Sequence, residues 1–176
     1  MPRPAISSLL AGGDRRSIGR SNNVAALFLK RPDRFVELMA CMWSDDPVVR
    51  MRAADAAEKV SARNPGLLKP FQAELLGLLM EAEQQELRWH LAQMVPRLPL
   101  TAEQRRRAAA AFRSFLKDRS SIVKASGIQA LVDLSRQDAA LRSRVTALLE
   151  EALRTGTPAM KALARNLLKQ FRAGSR

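Results

Sequence analysis

A pattern of small, large and basic residues that begins Val49-Arg50-Met51-Arg52-Ala53-Ala54 returns three times along the chain. The later copies begin Leu87-Arg88-Trp89-His90, Val123-Lys124-Ala125-Ser126 and Met160-Lys161-Ala162-Leu163. The basic residue heading each copy (Arg50, Arg88, Lys124, Lys161) recurs after 38, 36 and 37 residues. A tandem repeat restricts the fold severely, because each copy must build the same local unit and bury its apolar face against the next. Within a copy the apolar positions fall at helical spacing, as in Val49, Ala53, Ala56 or Ala57 and Val60. A second helical stretch precedes each copy: Phe35 to Trp43, Phe71 to Met80, Ala102 to Leu116 and Leu141 to Leu153. Each repeat is therefore expected to be a pair of helices.

Composition and punctuation agree. Hydrophobic residues make up 47% of the chain, yet Tyr is absent, Trp occurs twice and Phe six times. Leu, Ala, Val and Met must fill the interior, which favours close-packed helices over a sheet. Asp46 before Pro47 and Thr157 before Pro158 set a capping side chain ahead of a proline at the first helical position. Thr101 with Gln104 reads as a capping box, and Asn64-Pro65-Gly66 as a turn between pairs.

Asp46-Pro47-Val48-Val49-Arg50 followed by Ala53-Ala54 resembles the second helix of the HEAT-repeat superfamily, and the likeness covers about residues 33 to 172. The chain is similar to small prokaryotic HEAT-repeat proteins of undefined activity. Pro96 shortens the second copy, Gly127 weakens the third, and the last lacks the preceding aspartate. The fold class expected is all-α, an α–α superhelix: a right-handed solenoid of about four HEAT-type helical hairpins. The resemblance implies that second helices line a concave face. In domain terms, residues 1–20 form a flexible basic arm, 21–172 a single HEAT-like solenoid with repeats near 33–62, 66–98, 101–135 and 138–172, and 173–176 a tail.

The net charge is +13, from thirty Lys and Arg against seventeen Asp and Glu. Residues 1–31 carry +5, 32–80 carry −1, 81–118 carry +2 and 119–176 carry +7. The positive field belongs to the two ends, and such a field draws a chain towards acidic protein, nucleic acid or anionic membrane.

The recurring basic residue fits a structural staple to the aspartate of the preceding turn, Asp45 or Asp46 and Asp118, or to a neighbouring repeat. The face two, five and nine residues further on is polar at eleven of twelve positions: Arg52, Asp55, Lys59; His90, Gln93, Arg97; Ser126, Gln129, Asp133; then Leu163, Asn166, Gln170. Stacked repeats would align these into a hydrophilic wall, with Trp89 beside the only histidine as a candidate anchor. The plainer reading is a solvated helix face. Because Asp55 and Asp133 interrupt the basic residues, the wall suits a protein or peptide better than a phosphate track. The alternative is sequence-independent nucleic-acid binding through Arg15, Arg16, Arg20, Arg165, Lys169 and Arg172.

Catalysis finds no support in the sequence: no close carboxylate pair, no Ser with a His partner, no phosphate loop, and one His too few for a metal site. HEAT-like DNA alkylbase glycosylases use aromatic and acidic residues, whereas Trp89 is followed four residues on by Gln93. No cofactor and no metal are expected. Cys41, in the run Leu38-Met39-Ala40-Cys41-Met42-Trp43, reads as a small buried hydrophobe. No segment has the roughly twenty apolar residues of a membrane span, so the expected location is cytoplasmic.

Overall fold

The computed structural model describes residues 5–14, 17–136 and 138–173. Every regular element among them is helical and no strand occurs. Ten α-helices follow in order: α1 (Ile6–Leu10), α2 (Ser21–Lys30), α3 (Phe35–Ala40), α4 (Pro47–Arg63), α5 (Gln72–Glu81), α6 (Gln85–Met94), α7 (Ala102–Phe115), α8 (Ser121–Ser135), α9 (Ala139–Thr155) and α10 (Pro158–Ala173). Four 3-10 turns, Pro32–Arg34, Cys41–Trp43, Pro65–Phe71 and Val95–Arg97, lie between them. The chain divides into two compact units, residues 1–99 and 100–176.

The helices begin where the chemistry of their first residues dictates. Asp46 accepts from the Val48 amide at 2.8 Å, with Pro47 at the first helical position of α4. At α7 the reciprocal bonds of Thr101 and Gln104, 2.9 and 3.2 Å, satisfy two amides that lack intrahelical partners. Ser120 and Asp138 cap α8 and α9 in the same way, and Thr157 accepts from the Met160 amide at 3.3 Å. Pro96 cannot donate to an α-helical ladder, so α6 stops at Met94 and tightens into a 3-10 turn.

In the first unit α4 is the central element, packed by α1, α2, α3 and α6. From Met51 to Ala57 every residue of α4 is buried, as expected of a helix with neighbours all round. Four alanines in this stretch, Ala53, Ala54, Ala56 and Ala57, let those neighbours approach closely. Around it Phe28, Leu38, Met39, Met42, Leu68 and Leu91 complete the core. Cys41 is buried too, and burial raises its thiol pKa.

In the second unit α8 packs on α7 and α9, and α10 on α8 and α9. Phe112 and Phe115 of α7 meet edge to face at 5.6 Å between ring centres. Gly127 is what allows α8 so close: a Cβ there would lie 2.9 Å from the Phe115 Cβ and 3.0 Å from the Phe112 carbonyl oxygen. The glycine that looked like a weakness in the third repeat is thus a contact point. On α10, Ala164, Leu167, Leu168 and Phe171 are buried while Arg165, Asn166, Lys169 and Gln170 face solvent.

The N-terminal segment, expected from the sequence to be an arm, carries the short helix α1. Ile6 and Leu10 of α1 are buried, and Gly12, Gly13 and Gly19 carry φ angles of 75°, 75° and 53°, a left-handed region open to glycine. These turns bring the segment round so that its carbonyls converge on Arg52 of α4. Arg15 and Arg16 lie outside the described residues.

Candidate functional site

In its first two copies, Arg50 and Arg88, the repeated basic residue bonds backbone carbonyls of the preceding turn, and Arg50 also reaches the residue before the next repeat helix. Arg50 Nη1 donates to the carbonyls of Ser44 at 2.6 Å and Asp45 at 3.0 Å, and its Nε to Gln84 Oε1 at 3.2 Å. Arg88 Nε donates to the Ala82 carbonyl at 2.7 Å. Both arginines therefore staple the carbonyl six residues upstream, tying the start of α4 and of α6 to the turn that leads into each. Gln84 also donates to the Pro47 carbonyl at 2.9 Å, joining the two starts.

The polar positions expected to line an open wall fall into two groups. Those of the first unit are largely consumed inside it. Arg52 is 2% exposed and donates to four carbonyls of the N-terminal segment: Leu10 at 2.8 Å, Gly12 at 2.5 Å, Asp14 at 2.9 Å and Ser17 at 3.0 Å. A guanidinium has five donors in a rigid fork, which is why one side chain can serve four acceptors. Asp55, 8% exposed, accepts from the buried Ser21 hydroxyl and from Lys59 Nζ at 2.6 Å. Lys59 also reaches Asn22 Oδ1 at 2.6 Å. Arg97 donates to the Glu58 carboxylate, the Glu58 carbonyl at 2.9 Å and Ser61 Oγ at 2.8 Å. Of this group only Gln93 is fully exposed.

His90 lies beside this cluster. Its Nε2 is 3.8 Å from Asp55 Oδ1, beyond hydrogen-bond reach, and its Nδ1 is buried without a partner among the described residues. Burial pushes its pKa from 6.5 down to about 4, against the pull of Asp55 and Glu58. Trp89, half-exposed, stands edge-on to it at 5.6 Å. Serine, carboxylate and imidazole thus meet, but not in the order that activates a nucleophile. Ser21 Oγ gives its proton to Asp55 rather than to His90, and the hydroxyl is shut away from any substrate. The helix that closes this region, α2, went unread in the sequence, although Ser21, Val24, Ala25 and Phe28 carry a helical spacing.

In the second unit the expected stripe stays at the surface. Ser126, Gln129 and Asp133 of α8 are half-buried, Gln129 donating to Asp133 at 3.2 Å, and Asn166 and Gln170 of α10 are exposed. Arg165 and Lys169 are exposed on α10, Arg20 is exposed ahead of α2, and the side chain of Arg172 lies outside the description.

The charge of the two units differs far more than that of the two chain ends. Residues 100–176 hold sixteen Lys and Arg against six Asp and Glu, a net +10, which leaves +3 for residues 1–99. Few of these cations are neutralised. Arg136 pairs with Asp133 at 3.4 Å and Arg154 with Glu151, while Arg105 caps the Leu100 carbonyl at 2.6 Å and Arg142 lies 5.5 Å over the Phe171 ring. Arg106, Arg113, Arg144, Arg165 and Lys169 are exposed and have no acidic partner among the described residues.

Three of the unpaired arginines surround a cavity of about 320 Å³ between α7 and α9. Leu131, Leu141, Val145 and Leu148 supply its apolar wall, and Arg106, Arg113 and Arg144 line it from exposed positions. The one carboxylate at its edge, Asp138, already accepts from the Leu141 amide at 3.0 Å as the cap of α9. Among the described residues, no group of three or more His, Cys, Asp or Glu is placed to hold a metal ion. No helix among them is long and apolar enough to cross a membrane. No family model matches the chain, and no curated protein matches it significantly.

Proposed function

We propose that this chain is a non-catalytic binding module of the HEAT-repeat type, and that its second unit takes an acidic protein or peptide. The repeat reading is supported by a shared local device, the arginine that staples the carbonyl six residues before it in both Arg50 and Arg88. The observation that carries the binding reading is the surplus of +10 on residues 100–176 with Arg106, Arg113, Arg144, Arg165 and Lys169 exposed and unneutralised. Cations left without partners cost a fold self-repulsion, and an acidic partner relieves it while gaining speed of encounter. The concave-wall version of this idea narrows accordingly: the first unit's share of the stripe is spent on its own N-terminal segment, and Asn166 and Gln170 remain available beside the basic residues of α10.

The same field would attract a nucleic acid, but the apolar wall of the α7–α9 cavity is aliphatic and its lining offers no aromatic ring for a base to stack on. Fluorescence anisotropy of the full chain with labelled polyglutamate and with duplex DNA, across a salt series, decides between them. Binding of polyglutamate that weakens in an Arg106→Glu, Arg144→Glu variant supports the proposal. Failure to bind polyglutamate at low salt rejects it. Preference for the duplex, with log affinity falling against log salt at a slope of about −4 or steeper, assigns the basic surface to nucleic acid instead.

A further inference from the structure

We infer that the cavity between α7 and α9 is the anchor site of this module, and that it takes one aliphatic side chain of a peptide whose acidic groups flank that anchor. The inference rests on the reading of the second unit as the seat of an acidic partner, and it adds the register in which that partner is held. A cavity of about 320 Å³ is at the small end of ligand pockets, large enough for one or two aliphatic side chains and small for a cofactor. Its walls come from three helices. Leu141, Val145 and Leu148 form one stripe of α9 at spacings of four and three, and Leu131 of α8 lies buried at the base.

The charges are placed to read what lies on either side of the anchor. Arg106 and Arg113 stand seven residues apart on α7, two turns, or roughly 10.5 Å along its axis. A peptide in the polyproline II conformation advances about 3.1 Å per residue and returns to the same side every third residue, so two carboxylates three residues apart would meet both guanidiniums while a side chain between them reaches the cavity. Arg144 faces the same opening from α9, four residues beyond Ala140 and one turn from it. Arg gives bidentate contacts to carboxylates and is common at interface hot spots, where an apolar anchor sits in a pocket ringed by such contacts. Among the described residues no acid pairs with these three guanidiniums, and Asp138, engaged by its own helix amide, is the one acid among the residues that line the cavity.

The test uses the full chain and three labelled Gly/Ser peptides in anisotropy titrations at low ionic strength. The first carries leucine between two glutamates three residues apart, the second has serine in place of leucine, and the third has glutamines in place of the glutamates. The first should bind about tenfold tighter than the second, the worth of burying one leucine side chain. It should also bind tighter than the third. Ala140 is exposed at the cavity edge, so Ala140→Phe fills the opening at little cost to folding; it should bring the first peptide to the level of the second and leave the second unchanged. Equal binding of the first and second peptides overturns the anchor while leaving acidic recognition intact. Equal binding of the first and third rejects acidic recognition itself, and failure of all three to bind rejects both.

Discussion

Arg52 and Gly12, forty residues apart, are joined by a hydrogen bond of 2.5 Å from guanidinium to carbonyl, and that bond is one of four that fasten the N-terminal segment to α4. Replacing Arg52 with Ala removes the donor from four carbonyls, that of buried Leu10 and those of Gly12, Asp14 and Ser17 nearer the surface. The expected cost is on the order of 3 kcal/mol, with the N-terminal segment the first part to open. Lysine should rescue little, since one ammonium cannot span acceptors arranged round a planar fork. Hydrogen exchange checks this: faster exchange at residues 6–14 and 21–30 in Arg52→Ala, with residues 100–173 unaffected, is the expected pattern, and uniform protection would refute it.

Gly19 tests the same contact from the opposite side. Its φ is 53°, and a Cβ there would lie 2.7 Å from the Arg52 Cζ. Ala at this position carries a conformational cost of about 1 kcal/mol and displaces the guanidinium as well, so Gly19→Ala should lower the urea midpoint more than Gly12→Ala, where no atom stands within 4 Å. Equal losses in the two variants would show that the backbone angle alone matters.

Burial sets a pH dependence through His90. In the folded chain its pKa is about 4 and in the unfolded chain about 6.5, so between those values the unfolded state binds the extra proton. Stability contributed by neutral His90 is therefore full above about pH 6.5 and is lost as pH falls towards about 4, by roughly 3 kcal/mol at the acid end. The charges of Asp55, Glu58 and Glu86 pull the His90 pKa up and that of Lys59 pushes it down, but burial is the larger effect. Urea titrations of the wild type and His90→Gln should diverge as the pH is lowered from 7 to 4.5. Parallel curves would show that the imidazole does not titrate on unfolding.

At Gly127 two effects compete. Ala improves helix propensity by about 1 kcal/mol, but its Cβ would press on Phe115 and on the Phe112 carbonyl at 3.0 Å or less. Overpacking of a tight interior costs about 1–3 kcal/mol, and the contact here includes backbone, which cannot swing aside. Gly127→Ala should therefore destabilise the second unit, read as an earlier unfolding transition by calorimetry. A later transition would mean that α7 and α8 separate easily.

The helices from α3 onward were legible in the sequence because capping and periodicity act locally, whereas α1 and α2 were not read. Asp46, Thr101 and Pro96 start or stop helices through atoms within a few residues, so their effect can be read without knowing the fold. The polar stripe was not legible in its fate. Arg52 and Asp55 satisfy the spacing of an exposed helix face, yet Leu10, Gly12, Asp14, Ser17 and α2 engage them, and what covers a face depends on contacts some forty residues away. Gly12, Gly13 and Gly19 are open to two readings for a related reason: glycine serves a tight turn as readily as a loose tail, and the donor that gathers the carbonyls, Arg52, lies far away in sequence. The α7–α9 cavity joins Arg106 to Leu148 through tertiary packing, which no repeat offset encodes.

The two units hold their charged groups in opposite ways, and this divides the chain's capacity for change. Arg52 and Asp55 are bound into several partners at once, so drift at either is felt by the whole N-terminal half. Arg106, Arg113 and Arg144 are exposed with no acidic partner among the described residues, so substitution there changes the surface charge without breaking an ion pair. On the proposed reading, replacements at these three surface positions would change which partner is attracted without disturbing the bonds that hold the first unit.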